Sequence, residues 1–132
     1  MERTGELVGK VGFSSMVIRP GDTSVAMGLG DLPVVAPAHL LSLLESAVIV
    51  ALSEYLELGE STRLASLELE LLGAAAIGAQ IRAAVTCSAV SEKEITFTCD
   101  IYHGERPIAR AQMKRATVER VSFLARTAAQ NL

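Results

Sequence analysis

The stretch Pro37-Ala38-His39-Leu40-Leu41-Ser42-Leu43-Leu44-Glu45-Ser46-Ala47-Val48-Ile49-Val50-Ala51-Leu52 decides how this chain is read. It is too long for one strand, and its apolar residues cover nearly the whole circumference of a helix, so it predicts a helix buried on all sides. Proline is favoured in a helix's first turn, where its missing N–H has no intrahelical partner, so the helix starts near Pro37. Gly59 supplies a stop and puts the end around Leu56 to Leu58. The wider apolar run from Val34 to Leu52 approaches the length of a membrane span, but Pro37, His39 and Glu45 interrupt it. A charged side chain at the centre of a bilayer costs roughly 2.5–3.5 kcal/mol, so the run reads as a core helix and no membrane partner is expected.

Strands flank this helix. Val8 to Ile18 is rich in β-branched and aromatic residues and ends at Arg19-Pro20-Gly21-Asp22, a turn from which Thr23 to Met27 can return as a short strand. A glycine-containing loop, Gly28 to Val35, leads into the helix. After it, Ala65, Leu67, Leu69 and Leu71 alternate with polar residues, as do Ile81, Ala83, Val85, Cys87 and Ala89. Ile95, Phe97, Cys99 and Ile101 repeat the period of two, which belongs to a strand with one dry face. A three-residue loop at Glu92 to Glu94 sets Val85 opposite Ile101 and Cys87 opposite Cys99. Ile108 to Val118 forms a last amphipathic strand, and Glu119 to Ala129 a short terminal helix with Val121, Leu124, Ala125 and Ala128 on one stripe. The order, two strands, a long helix and three or more meandering strands, is α+β and not a doubly wound sheet.

A chain of 132 residues, half of them apolar, makes one domain spanning residues 1–132. Only Phe13, Phe97, Phe123, Tyr55 and Tyr102 are aromatic, so the core is built of aliphatic side chains. Residues 1–100 hold 6 Lys/Arg against 13 Asp/Glu, whereas residues 101–132 hold 6 against 2. The basic final third reads either as a solvated face offsetting the acidic part or as a surface for a phosphate-bearing ligand; no nucleic-acid partner is expected. The acidic, glycine-containing start from Met1 to Lys10 lacks the pattern of a secretory leader, and two cysteines in that context read as reduced thiols in a cytoplasmic protein.

Nucleotide loops, zinc spacings and the Gly-x-Ser-x-Gly elbow are all missing, so no metal or resident cofactor is expected. The chemistry-bearing residues are those of the helix: His39, Ser42, Glu45 and Ser46. Desolvating an ionised carboxylate costs several kcal/mol, so Glu45 reaches solvent, pairs with a partner or serves a reaction. His39 caps or lies at the surface near the helix start, or joins the chemistry, and the serines bond back to the preceding turn or take part with it.

Pro37-Ala38-His39-Leu40-Leu41-Ser42-Leu43-Leu44-Glu45-Ser46-Ala47, the helix exit Tyr55-Leu56-Glu57-Leu58-Gly59-Glu60 and the stretch Lys114-Arg115-Ala116-Thr117-Val118 together resemble the hotdog-fold acyl-CoA thioesterases, in particular the fluoroacetyl-CoA thioesterase-like group. The resemblance implies a long central helix wrapped by an antiparallel sheet, a homodimer or dimer of dimers, and an acyl-CoA-type small molecule as partner, with CoA a part of the substrate. It implies a helix Glu, a Thr eight residues earlier and a His on the following strand around the thioester. Glu45 matches the Glu; Pro37 stands at the Thr position and Leu71 at the His position, while Leu64 replaces a Gly and Met113 a His. On this reading Glu45 activates water, helped by Ser42 or His39, a backbone N–H near the helix start polarises the carbonyl, and Arg115 and Lys114 hold the CoA phosphates. The alternative it leaves is a non-catalytic hotdog dimer that binds acyl-CoA or another apolar ligand, and a third is a structural subunit.

Overall fold

The computed structural model describes residues 7–131; most of the segment read for a leader falls on residues 1–6, outside the described residues. Five strands, β1 (Val11–Val17), β2 (Glu60–Leu71), β3 (Gln80–Val90), β4 (Glu94–His103) and β5 (Arg106–Glu119), form one antiparallel sheet in the order β1-β3-β4-β5-β2. The helix α1 (Pro37–Leu52) lies mainly over β1 and β3 with a smaller contact to β4, and α2 (Arg120–Gln130) follows β5.

Period-two patterning holds the sheet's inner face dry. Ile81, Ala83, Val85 and Cys87 on β3, Ile95, Phe97, Cys99 and Ile101 on β4, and Ala109, Ala111 and Met113 on β5 are buried beneath Leu40, Leu43, Leu44, Ala47, Val48 and Ala51 of α1. The helix approaches closely because β1 presents Gly12: a Cβ there would collide with the Ala47 carbonyl oxygen and lie 3.0 Å from the Ala51 nitrogen. Backbone, not a movable side chain, sets that limit.

Several sequence expectations are corrected. Thr23 to Met27 is a turn, with only an isolated bridge from Thr23 to Val35. The Thr23 hydroxyl donates to the Pro20 carbonyl and accepts from the Ala26 N–H, satisfying locally the groups a ladder would have used. The helix ends at Leu52, because the Ser53 and Tyr55 N–H groups bond three residues back and tighten the chain into turns that run to Gly59 at φ 88°. The β3–β4 register is Val85 opposite Cys99 and Cys87 opposite Phe97: the turn takes four residues, with the Ser91 N–H on the Glu94 carbonyl, and a bulge follows Cys87. That bulge turns Ala89 out to solvent, and a second one does the same to Ala65 on β2.

Nor is α1 buried all round. Ser42 and Ser46 face solvent, and Ile49 and Val50 are 51% and 52% exposed. The inner residues of the edge strand β2 are likewise only half covered: Leu64, Leu67 and Leu69 are intermediate and Leu71 is exposed. Cys87 and Cys99 are free, as read from the sequence. Among the described residues no helix is long and apolar enough to cross a membrane.

Candidate active site

On β5 the inward places run Ala109, Ala111, Met113 and then Arg115, so the alternation that fills the core carries a cation inward at its last step. Arg115 is 4% exposed and is the only charged residue buried among those described. A guanidinium there must be paired and its donors satisfied. Its Nη1 donates to Glu45 Oε2 at 2.6 Å. Its opposite edge is gripped by one residue, with Nε donating to the Thr62 hydroxyl at 3.2 Å and Nη2 to the Thr62 carbonyl at 3.3 Å. The guanidinium is planar and rigid, so this two-point hold by Thr62 fixes the direction in which Nη1 meets Glu45.

The pair is asymmetric in exposure. The Arg115 side chain is 5% exposed and that of Glu45 is 36% exposed. One carboxylate oxygen is therefore tied to the protein interior while the group as a whole remains accessible to water. A carboxylate accepts through both oxygens, so Oε1 is the atom left to take a proton from water or substrate.

The other residues singled out from the sequence are distributed around this pair. Ser42 is exposed one turn before Glu45, and its carbonyl accepts the Ser46 hydroxyl at 3.1 Å, the back-bonding expected of a helical serine. His39 faces Asp22, Nδ1 to Oδ1 at 3.6 Å, while Asp22 Oδ2 accepts the Arg19 N–H. Six residues separate His39 from Glu45, about 9 Å along the helix axis. Ala36 caps α1 without a side-chain bond, Pro37 has no N–H, and the His39 and Leu40 N–H groups both donate to the Ala36 carbonyl, so Ala38 carries the one first-turn N–H without a bonded partner among the described residues.

Lys114 alternates to the outer face of the sheet, opposite Ser66 and Thr96, and is exposed. The sheet separates it from Glu45. Arg115, assigned from the sequence to CoA phosphates, is buried, with its guanidinium engaged by Glu45 and Thr62. Pro37 is exposed, Leu64 lies opposite Arg115, and Met113 is core. Leu71 pairs with Ala109, six residues from Arg115 and so about 20 Å along the strand. Both cysteine thiols are buried: burial, with a smaller contribution from Asp100, pushes the Cys99 thiol up to about 12, and burial raises that of Cys87. Among the described residues no three His, Cys, Asp or Glu converge as metal ligands.

Thr62 is the participant that sequence reasoning missed. It lies before Ala65, where the visible alternation begins, and only the extension of β2 back to Glu60 brings it beside Arg115.

Comparison with solved structures places this arrangement in a known fold. A variant of the fluoroacetyl-CoA thioesterase FlK bound to fluoroacetate superposes with a TM-score of 0.85 at 20% identity, covering 93% of this chain and 97% of that one. A thioesterase superfamily member from Thermus thermophilus gives 0.87 at 18% identity, covering 94% and 92%. A hot-dog-like protein from Thermanaerovibrio acidaminovorans gives 0.85 at 18% identity, covering 97% and 96%. The fold is the hotdog. No curated protein matches the sequence. The family model for fluoroacetyl-CoA-specific thioesterase matches residues 18–121, most of the sheet and all of α1, and the chain belongs to that family.

Proposed function

We propose that this protein hydrolyses an acyl thioester of the CoA type with Glu45 as general base. The observation that carries the reading is the Arg115–Glu45 pair: a buried cation fixes Oε2 and leaves the carboxylate's other oxygen on a face that water reaches. Oε1 takes a proton from water as the water attacks the thioester carbon; the carbon–sulfur bond breaks, and the thiol leaves with the proton. The Ala38 N–H at the start of α1 polarises the carbonyl oxygen. Ser42, one turn from Glu45 on the same exposed face, orients the water. The fold relatives bound to fluoroacetate, to acetyl-CoA and to fluoroacetate with CoA support this class of ligand.

The test is a panel of acyl-CoA and carrier-bound thioesters with the native chain and Glu45→Ala. Loss of a general base is expected to lower kcat/KM by about 100-fold or more on the preferred substrate. Full activity of Glu45→Ala sinks the assignment. Tight binding of acyl-CoA without turnover by the native chain selects the second reading, a ligand-binding hotdog protein, which Pro37 and Leu71 in place of proton-relaying side chains favour.

The working form in this reading is a homodimer. The 12-residue strand β2 is an edge of the sheet, and long edges carrying apolar residues are covered in stable proteins. The exposed Ile49 and Val50 of α1 give a second copy an apolar face beside Glu45. Sedimentation is expected to show twice the mass of one chain at micromolar concentration; a stable monomer overturns the dimer.

A further inference from the structure

On the side of the sheet away from Glu45, an open cleft of about 130 Å³ lies between the start of α2 and the ends of β2 and β5, lined by Ser61, Thr62, Arg63, Val118, Arg120, Phe123 and Leu124. Its sidedness follows from register. Arg115 points inward, so Val118, three residues on, points outward, as does its cross-strand partner Ser61. Phe123, Val118 and Leu124 make the apolar wall. Arg63 is exposed, lies over the Phe123 ring at 6.0 Å and gives one N–H to the Leu64 carbonyl, which holds it beside the ring. Arg120 has no carboxylate partner among the described residues. No acidic residue lines the cleft. The two nearest along the chain, Glu60 and Glu119, face each other across β2 and β5; Glu60 Oε1 accepts the Glu57 N–H, and Glu119 gives one oxygen to both the Ser122 N–H and hydroxyl, which together hold its carboxyl below the usual range.

We infer that this cleft binds a short-chain carboxylate, its head between Arg63 and Arg120 and its alkyl chain against Phe123, Val118 and Leu124. Guanidinium pairs match a carboxylate's two oxygens, whereas an apolar wall gives nothing to a bare inorganic anion. The size agrees, since a closed dry cavity of about 150 Å³ takes up one benzene, so an open cleft of 130 Å³ receives one face of a chain of about five or six heavy atoms. Thr62 lines this cleft and also grips Arg115, but the proposed ligand lies on the face of the sheet away from Glu45, and the inference does not depend on the thioesterase reading.

The test is an amide-resolved NMR titration of the full isotope-labelled chain with hexanoate, butyrate, hexanol and inorganic phosphate. Hexanoate is expected to give saturable shifts centred on Ser61, Val118, Phe123 and Leu124. Two methylenes fewer weaken butyrate about tenfold. Loss of the charged contact weakens hexanol, and Arg63→Gln or Arg120→Gln weakens hexanoate, roughly tenfold each. Three outcomes overturn the inference: no saturable shift at these amides, equal binding of hexanol, or phosphate binding as tightly as hexanoate. All three are read on the native chain, so they hold whether or not the arginine variants fold.

Discussion

Gly12→Ala is expected to destabilise the protein by about 3 kcal/mol or more, the upper range of overpacking in a closed core. The single added carbon has nowhere to go. It would overlap the Ala47 carbonyl and press on the Ala51 amide, both belonging to the α1 backbone at its closest approach to β1. Relief requires lifting the helix, and with it Leu44, Ala47, Val48 and Ala51 from their places over the sheet. Gly21→Ala is the control: a Cβ there meets nothing within 4 Å. That change should be neutral or raise stability slightly by restricting the unfolded chain. Urea denaturation of the two variants decides the matter, at one protein concentration because assembly shifts the midpoint. Equal midpoints would mean that α1 does not sit closely on β1.

The same residue shows where sequence reading stops. The composition of 37–52 places the helix, and alternation places β3, β4 and β5, because burial on one face imposes a period that survives in any single sequence. Nothing about an isolated glycine in a strand pattern says which element will approach it, so Gly12 carries no signal. Bulges escape for a related reason. Ala65 and Ala89 are small and apolar, compatible with either face, and only the paired strand shows that the phase shifts there. Helix ends depend on local bonds of Ser53 and Tyr55 that no periodicity reports.

The site is a different case, because both members of its central pair leave a mark in the sequence. Glu45 stands out as a carboxylate in an apolar helix, and pairing is one of the roles open to it. Its partner is signalled by the alternation of β5: Ala109, Ala111 and Met113 set the dry phase, and Arg115 continues it. A cation on the dry face calls for an anion from the layer above. Counting Arg115 as one of several basic residues in the final third hides that constraint, since a charge count does not distinguish an arginine facing the core from one facing water.

Removing either member of the Arg115–Glu45 pair is expected to cost unequally, and removing both to cost less than the sum. Glu45→Leu leaves a guanidinium that is 4% exposed without an anion, and should lower stability by about 3 kcal/mol, the low end for a broken buried pair because the Glu45 side is wet. Arg115→Met leaves a carboxylate that is 36% exposed and can turn to water, so its cost, about 1 kcal/mol, is mainly lost packing and the bonds to Thr62. With both replaced, no charge is stranded and two apolar side chains meet, so the double variant should recover about 2 kcal/mol relative to additivity. Denaturant unfolding of the four proteins gives the coupling directly. Additive losses would show that the pair is incidental and that Arg115 does not aim Glu45. Activity then separates support from chemistry. If Glu45 is the base, as proposed, Arg115→Met keeps it but frees Oε2, so thioester hydrolysis should fall while the fold persists, whereas the double variant, restored in stability, should remain inactive. A double variant that regained both stability and hydrolysis would remove Glu45 from the reaction, because nothing in it could accept the proton from water at that place on α1.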